Sequence, residues 1–359
     1  MTGSFWNVKA LGTARGRRCL IGGLGLAMAF ILRTGIAQAA SDVPRGVFSL
    51  GRSDQPADPR VLADSAVDGI SVRARWRDVE PSRGVYNWDF LDSEIARAGR
   101  AGKKVLVRIL SEGPSTPRWV LGGGVQMFQY GSQPFNPRGG GSFAIPWDQK
   151  YLAEKKAMIE AAGAHLAGQQ AVQIVAAICA SGRSGDWSLP HTSVDIEHWR
   201  TLGYTSEKLI GGCEQIIDVT MRSFPRQFVT LAVGRNGQLD PDPDYVARAA
   251  IEYAHGHYPG RLFVQKNSLS AVSPLPGQGD FLQILSDNRP NIAGQMLWFT
   301  YGDRTCRNNG GQAPCDPEAT LRRAIDIGLR YGMKYIEIYQ RDVINLPEVI
   351  RYAHNSMTK

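Results

Sequence analysis

The stretch that decides the fold reads Gly69-Ile-Ser-Val-Arg-Ala-Arg-Trp-Arg-Asp-Val-Glu-Pro-Ser-Arg-Gly-Val-Tyr-Asn-Trp-Asp-Phe-Leu-Asp92. It predicts a short strand that carries arginines, then a Glu-Pro turn, then the start of an amphipathic helix. A second strand, Lys103 to Leu110, follows and carries another arginine. Strand, loop, helix, strand is the repeating unit of a parallel α/β protein, which places its chemistry at the C-terminal ends of its strands.

The same unit recurs along the chain without an internal domain break. Strands are predicted at Gly46–Leu50, Ile70–Trp76, Lys104–Leu110, Val172–Cys179, Phe228–Gly234, Leu262–Ser268, Gly294–Tyr301 and Tyr335–Tyr339. Helices are predicted near Asp58–Ala66, Asp89–Arg100, Asp148–Leu166, Ser206–Ser223, Asp244–His255, Phe281–Asn288, Pro317–Tyr331 and Leu346–Met357. This order predicts a single (β/α)8 barrel over residues 41–359. An open doubly wound sheet is disfavoured because no Gly-rich phosphate loop follows the first strand.

Residues 1–40 are predicted to be a cleavable signal peptide. Basic residues precede an uncharged apolar run from Cys19 to Leu32, and Ala37-Gln-Ala-Ala40 fits a signal-peptidase site. Arg17 and its neighbour Arg18 resemble a twin-arginine signal. The apolar run is short for a membrane span of about 20 residues, so an uncleaved anchor is the less favoured alternative. We expect a periplasmic or secreted protein, with no membrane contact in the mature form.

The net charge of the chain changes once this leader is set aside. The whole chain has 41 Lys and Arg against 33 Asp and Glu, a net charge of +8. Five basic residues and no acidic ones lie in the leader, which leaves 36 against 33, or about +3. That balance gives no argument for nucleic acid as a partner.

The cysteines support export. Outside the leader they are Cys179, Cys213, Cys306 and Cys315. We predict a disulfide between Cys306 and Cys315, because the Gly- and Asn-rich loop between them can close on itself. A Cys179–Cys213 bond is a second expectation, with a buried thiol at a strand end as its alternative. Neither the cysteines nor the six His have metal-ligand spacing, so neither a metal nor a cofactor is expected.

The last predicted strand brings a carboxylate into the barrel. In Tyr335-Ile-Glu337-Ile-Tyr339 the isoleucines suit the outer, helix-facing side, which leaves the Tyr and Glu side chains pointing inward. A buried Glu needs a partner. Candidates with the same inward parity are Arg73, Arg75 and Arg108. Glu337 is then either half of a structural ion pair or a nucleophile that the arginines keep ionised, and we favour the nucleophile.

The loop after the fourth strand carries a second carboxylate, in Ser-Gly-Asp186-Trp187-Ser-Leu-Pro. An aromatic neighbour can raise the pKa of a carboxyl group, as a general acid requires. The alternative is an Asp that caps a turn. Two carboxylates facing one cleft are the minimal machinery of glycoside hydrolysis. Glu112 and Asp303, also at strand ends, are spare candidates.

Tryptophans gather near the predicted strand ends, where sugar rings could stack on them. They are Trp76, Trp119, Trp147, Trp187 and Trp298. Each alone is more typical of core packing, but together on one face they favour a sugar cleft. The long segment from Leu121 to Pro146 is rich in Gly, Pro and aromatic residues, and its length predicts a functional loop that could act as a mobile lid.

The decisive stretch also contains the motif Arg75-Trp-Arg-Asp-Val-Glu-Pro-Ser-Arg-Gly-Val-Tyr-Asn-Trp88, followed by Gly102-Lys-Lys-Val105. It resembles the second and third βα units of clan A glycoside hydrolases, with the family 42 β-galactosidases closest in type. In that clan a second-strand Arg supports the nucleophile, and the acid/base residue follows the fourth strand. The resemblance implies a (β/α)8 glycosidase with Asp186 at the acid/base position.

Two positions depart from the clan's pattern. The clan has Asn-Glu after the fourth strand, where this chain has Gly185-Asp186. Its nucleophile lies on the seventh strand, where this chain reads Gly294-Gln-Met-Leu-Trp298 without an acid. Glu337 falls on the eighth strand instead.

The sequence therefore predicts an exported glycoside hydrolase that acts on a poly- or oligosaccharide, by a two-carboxylate retaining mechanism. Glu337 is the predicted nucleophile, oriented by Arg75 or Arg108 and by Tyr339, and Asp186 the acid/base. Predicted substrate-binding residues are Arg75, Arg108, Trp76, Trp119, Trp147, Trp187, Gln295 and Tyr339. One alternative is a catalytically inactive barrel that binds polysaccharide. Another is a polysaccharide lyase or transglycosylase that uses Tyr339 or Tyr301 as a base. The sugar and the oligomeric state stay open.

Overall fold

Eight parallel strands close into a barrel in this computed structural model, which describes residues 43–131, 140–181, 186–288 and 291–359. The strands are β1 (Gly46–Leu50), β2 (Gly69–Arg75), β3 (Lys104–Leu110), β4 (Val172–Ala177), β5 (Phe228–Ala232), β6 (Leu262–Leu269), β7 (Ile292–Met296) and β8 (Tyr335–Tyr339). Each strand pairs with its neighbours in chain order, and β8 pairs with β1 to close the barrel. The predicted single (β/α)8 barrel is confirmed.

Helices surround the barrel and cover its apolar outer face. They are α1 (Pro59–Ala63), α2 (Trp76–Val79), α3 (Asp89–Arg100), α4 (Arg118–Leu121), α5 (Gln149–Leu166), α6 (Ser193–Thr201), α7 (Ser206–Ser223), α8 (Tyr245–His257), α9 (Asp280–Asp287), α10 (Pro317–Tyr331), α11 (Gln340–Asn345) and α12 (Pro347–Met357). Each predicted helix is present. The sequence pattern missed α2, α4, α6 and α11, which lie within the connections between strands and longer helices.

Side-chain caps explain where two of the long helices begin. Asp148 and Asp316 accept hydrogen bonds from backbone N–H groups in the first turns of α5 and α10, respectively.

The two sides of each strand bury different sets of side chains, as the period of two along a strand requires. One layer fills the barrel at the N-terminal ends of the strands: Phe48, Leu106, Ile174, Phe228, Phe263, Ala293 and Tyr335. The opposite face of the strands joins a larger core with the helices, and Ile336 and Ile338 belong to it. The predicted inward direction of Tyr335 and Glu337 is therefore confirmed.

The long segment between α4 and α5 forms a two-stranded antiparallel sheet, Met127–Tyr130 paired with Gly141–Ala144. Phe128 and Phe143 are buried, and their ring centroids lie 5.0 and 5.7 Å from that of Trp199 in α6. In its described part, this segment packs through Phe128 and Phe143 against each other and against Trp199, and the mobile lid stays a prediction. Residues 132–139 lie outside the described parts.

Two disulfides are present. Cys306–Cys315 closes the predicted loop after β7, and Cys179–Cys213 joins the residues after β4 to α7. Disulfides persist in oxidising compartments, which agrees with export. Of the helices described, none is both long and apolar enough to cross a membrane. The predicted signal peptide, residues 1–40, lies outside the described residues, so export stays a prediction.

Candidate active site

An Arg–Glu ion pair lies inside the barrel. Nη1 and Nη2 of Arg108, on β3, donate to Oε1 and Oε2 of Glu337, on β8, each at 2.8 Å. Nε2 of Gln265, on β6, donates to Oε2 of Glu337 at 2.6 Å. Nη1 of Arg108 also reaches Oε1 of Gln295 at 3.3 Å. Arg108 and Gln295, both predicted to contact substrate, therefore belong to a buried network instead.

The protonation of Glu337 follows from this pairing. Its side chain has no exposed area. Burial raises the pKa of the Glu337 carboxyl, but the charge and hydrogen bonds of Arg108 outweigh it, so the pKa lies below its ordinary value. Glu337 is thus an ionised carboxylate, as the sequence predicts, and it is enclosed on all sides.

Two amide side chains connect this ion pair to Asp186. Nε2 of Gln265 also donates to Oδ1 of Asn267 at 2.7 Å, and Nδ2 of Asn267 donates to Oδ1 of Asp186. Asp186 is partly exposed, whereas Glu337 is not. The two carboxylates chosen from the sequence therefore lie in one region of the barrel, Asp186 near the surface and Glu337 beneath it.

The two arginines of β2 have different partners. The backbone N–H of Arg75 donates to Oδ1 of Asp54 at 3.0 Å, and Nη1 of Arg75 lies 3.0 Å from Oδ2 of the same residue. Arg75 therefore does not orient Glu337, and its charge is held by Asp54 rather than offered to substrate. Nη2 of Arg73 donates to the carbonyl of Gly51. Among the described residues, Nε of Arg73 is buried and has no hydrogen-bond partner.

Tyr339 lies at the top of β8, half-buried. Its ring centroid is 5.8 Å from that of Trp298 and 6.2 Å from that of Phe299. Burial raises the pKa of Tyr339 to about 12. A general base works best with a pKa near the operating pH, so this value disfavours the lyase alternative that uses Tyr339 as a base.

Two of the tryptophans assigned to substrate binding are core residues. Trp76 has no exposed area, and its Nε1 donates to Oε2 of Glu80 at 2.7 Å. Trp147 is 8% exposed and packs edge-on against Trp199 with centroids 4.8 Å apart. A ring enclosed by protein cannot stack on a sugar, so the sequence interpretation of Trp76 and Trp147 was wrong.

The other tryptophans keep exposed edges. Nε1 of Trp187 donates to Oδ1 of Asn236 at 3.2 Å, which holds the ring that adjoins Asp186. Trp298 is half-buried, and the guanidinium of Arg307 lies 4.1 Å from its ring centroid. Trp119 is partly exposed, and its Nε1 donates to a backbone carbonyl at 3.2 Å. These three rings remain candidates for sugar subsites.

Glu112, a spare candidate in the sequence, has the chemistry of a proton donor. Oε1 of Glu112 accepts from Oγ of Ser115 at 3.1 Å, and Oε2 is buried without a partner among the described residues. Burial raises the pKa of Glu112, and the nearby Asp186 raises it further. Lys155, whose Nζ donates to the carbonyl of Ile178 at 2.5 Å, offsets this only in part.

Solved structures share this barrel at low sequence identity. The catalytic domain of a β-amylase from Paenibacillus polymyxa matches with a TM-score of 0.58 and 11% identity, over 87% of this chain and 98% of that one. What the two chains share is the closed (β/α)8 barrel. β-Galactosidases from Rahnella sp. R3 and Halorubrum lacusprofundi match with TM-scores of 0.55 and 0.52 at 12% and 14% identity. The matches cover 57% and 52% of the two β-galactosidase chains, and 89% and 82% of this chain, respectively.

The predicted resemblance is confirmed at the level of the fold. The chain spans about half the length of the two β-galactosidases. No protein-family model and no curated protein matches the chain in sequence.

Several residues of this barrel were missed or ranked low in the sequence. Gln265 and Asn267 alternate on β6 with inward parity, so the period of two could have identified them. Lys155 gave no signal, because a single Lys on a helix is usually exposed. Glu112 lies two residues after the C-terminal end of β3. In a (β/α)8 barrel, catalytic residues come from the C-terminal ends of the strands, so this position could have been ranked higher.

Proposed function

We propose that the protein is an exported glycoside hydrolase that cleaves a poly- or oligosaccharide at the C-terminal mouth of its barrel. One observation carries the proposal. Asp186, partly exposed, is joined through Asn267 and Gln265 to the buried and ionised Glu337. The amide chain holds the Asp186 carboxyl in place at the mouth, and a fixed reacting group is what catalysis requires.

We assign Glu337 to positioning rather than to attack. A nucleophile must come within about 3–3.5 Å of the reacting carbon. Glu337 has no exposed area, and Arg108 and Gln265 occupy its oxygens. Instead, Glu337 holds the side chain of Gln265 in place. Gln265 in turn holds Asn267, which donates to Asp186.

We assign Glu112 as the second carboxyl group: it is 7% exposed, and its Oε2, unlike the oxygens of Glu337, has no partner among the described residues. Its pKa is raised by burial and by Asp186, which suits the proton donor of a two-carboxylate mechanism. Asp186 is left as the carboxylate on the other side of the bond, so its role is the reverse of the one expected from the sequence. Retention, as the sequence predicts, or inversion depends on the separation of the two groups, and the anomeric form of the first product distinguishes them.

Asp186→Asn tests this assignment. We expect turnover of aryl glycosides and polysaccharides by the variant to fall by about 10²–10⁴-fold, because the reacting carboxylate is lost. Asp78→Asn is the matched control, since Asp78 is an exposed carboxylate beside the same mouth. Turnover by Asp186→Asn equal to that of Asp78→Asn would contradict the proposal, and Glu112→Gln is measured in the same panel.

A carbohydrate-binding barrel without catalysis is the second candidate. The burial of Glu337 and the lack of an acid in β7 (Ile292–Met296) favour it. Unchanged glycan binding by wild type and Asp186→Asn, with turnover by neither, would support this candidate over the hydrolase.

A further inference from the structure

Among the described residues, no carboxylate forms an ion pair with Arg73. Arg73 and Arg108 are register partners on β2 and β3, so two guanidinium groups lie side by side in the barrel. Glu337 pairs with Arg108, and in the described parts of the chain Arg73 forms no ion pair. Among the described residues, its one hydrogen-bond partner is the uncharged carbonyl of Gly51. Arg73 is partly exposed, but its Nε is buried, and burying part of a charged group is costly unless the group is paired.

Between residues 43 and 359, the segments outside the described parts contain no acidic residue that could supply an anion. Residues 132–139, 182–185 and 289–290 contain neither Asp nor Glu. Glu337 and Asp186 attract the Arg73 charge through space, and neither forms an ion pair with it among the described residues. Burial lowers the pKa of Arg73, and the neighbouring Arg108 lowers it further, as expected for two like charges in a poorly solvated place.

A row of aromatic and basic side chains leads from Arg73 to the rim. Tyr339 lies next to the Arg73 charge, and its ring contacts Phe299 at 6.2 Å between centroids. The guanidinium of Arg341 lies 4.6 Å from the Phe299 centroid and 6.0 Å from that of Tyr301. Arg341 is exposed, and among the described residues it has no ion pair. On this side of the mouth, aromatic rings therefore lie between two positively charged side chains, Arg73 and Arg341.

We propose that Arg73 binds a carboxylate of the substrate, so that the sugar chain taken by this site contains uronic acid residues. A guanidinium presents a planar fork of N–H donors that matches a carboxylate. The buried, unpartnered Nε of Arg73 is one such donor. Tyr339 and Phe299 supply the ring faces beside it, and Arg341 a second cation for the next acidic residue of the chain. This inference rests on the proposed function, because it names the substrate class of the same site.

The test compares matched acidic and neutral sugars. Oligogalacturonides, alginate oligosaccharides and glucuronate-containing oligosaccharides are titrated into the protein, each beside its carboxyl-reduced neutral counterpart. We expect at least one acidic member to bind 10-fold or more tightly than its neutral counterpart. Arg73→Gln should reduce that ratio to below about twofold. Arg75→Gln, which removes the neighbouring arginine that Asp54 holds, should leave the ratio unchanged.

Further arms separate the other outcomes. A sulfated neutral oligosaccharide separates recognition of carboxylate from recognition of any anion, and equal or tighter binding of the sulfated sugar overturns the carboxylate assignment. Arg73→Lys keeps the charge without the fork and should retain part of the preference, so it replaces Arg73→Gln if that variant does not fold. A wild type that binds neutral members as tightly as acidic ones, or no acidic member at all, overturns the inference.

Hydrolysis measured in parallel keeps the two proposals apart. An acidic preference that Arg73→Gln abolishes, without any turnover by the wild type, supports the inference and rejects the hydrolase. Turnover of neutral sugars that Asp186→Asn abolishes, without binding of acidic ones, supports the hydrolase and rejects the inference.

Discussion

At the scale of single residues, the site depends on charges that lie where water does not reach. Arg108 and Glu337 neutralise each other through two hydrogen bonds of 2.8 Å. Such a pair contributes little net stability compared with an apolar pair of the same shape, but the loss of one partner leaves the other charged and buried. Its value here is the position that it gives to Gln265, and hence to the carboxylate above.

Glu337→Gln should lower the free energy of unfolding by about 3–5 kcal/mol, because Arg108 loses the buried carboxylate with which it pairs. Denaturant unfolding of Glu337→Gln measures this loss. Glu348→Gln is the control: its pair with Arg351 is exposed, and a change of less than about 0.5 kcal/mol is expected. The double variant Arg108→Met with Glu337→Met should be more stable than Glu337→Gln alone. A single variant as stable as the wild type would show that water enters the barrel at this depth.

Lys155 makes stability depend on pH. Burial lowers the pKa of Lys155 to about 7. The unfolded chain, with an ordinary Lys pKa of about 10.4, therefore binds more protons than the folded one between these values. Stability should rise with pH in that window, by at most about 1.4 kcal/mol per pH unit from this group, and level off below it.

Lys155→Met should remove that slope. Unfolding free energies of wild type and variant, measured between pH 7 and 9, should converge as the pH rises. Lys150→Met, at an exposed position on the same helix, should run parallel to the wild type. A constant difference between wild type and Lys155→Met across this range would contradict the lowered pKa.

At the scale of elements, the loops after β4 and β7 are held by disulfides and hydrogen bonds of their own, in addition to the pairing of the strands. The backbone after β4 is bound by Cys179–Cys213, by the N–H of Ser188 to the carbonyl of Ala180 at 2.9 Å, and by Trp187. The loop after β7 is closed by Cys306–Cys315 and anchored elsewhere by Asp342. These attachments fix the positions of the loop side chains, whereas the strands fix only where each loop starts.

The two disulfides should contribute unequally to stability. Cys179 and Cys213 are 34 residues apart, and Cys306 and Cys315 are 9 apart. From the entropy of loop closure we expect replacement of the first pair by Ser to lower the free energy of unfolding by about 4 kcal/mol, and of the second by about 2.5 kcal/mol. Denaturant unfolding of the two double variants compares them. The opposite order would mean that strain or packing, rather than chain entropy, dominates.

At the scale of the whole molecule, the barrel is described within residues 43–359, and residues 1–40 are the predicted leader. The disulfides require an oxidising compartment to form and persist. Export would supply that compartment, and the mature chain would carry a charge near neutrality rather than the +8 of the full sequence.

Cleavage of the leader is the prediction at this scale. The full-length protein, expressed with export, should yield a mature form that begins near Ser41, as N-terminal sequencing or intact mass would show. Replacing Arg17 and Arg18 by Lys should reduce export if the twin-arginine resemblance holds. An exported protein that keeps its first 40 residues would favour the uncleaved anchor instead.

The sequence by itself determined the architecture, since periodicity is a local property of the chain. The alternation in Tyr335–Tyr339 assigned Glu337 to the barrel interior, and the spacing of strands and helices predicted the closed barrel. Tertiary structure alone decided which of three inward arginines pairs with Glu337, and that Trp76 and Trp147 are buried. It also decided that, among the described residues, Arg73 forms no ion pair. Partners and exposure depend on strand register and on what lies across the closed barrel, and those contacts join residues more than two hundred positions apart, as in Arg108 and Glu337. No local pattern encodes such distances.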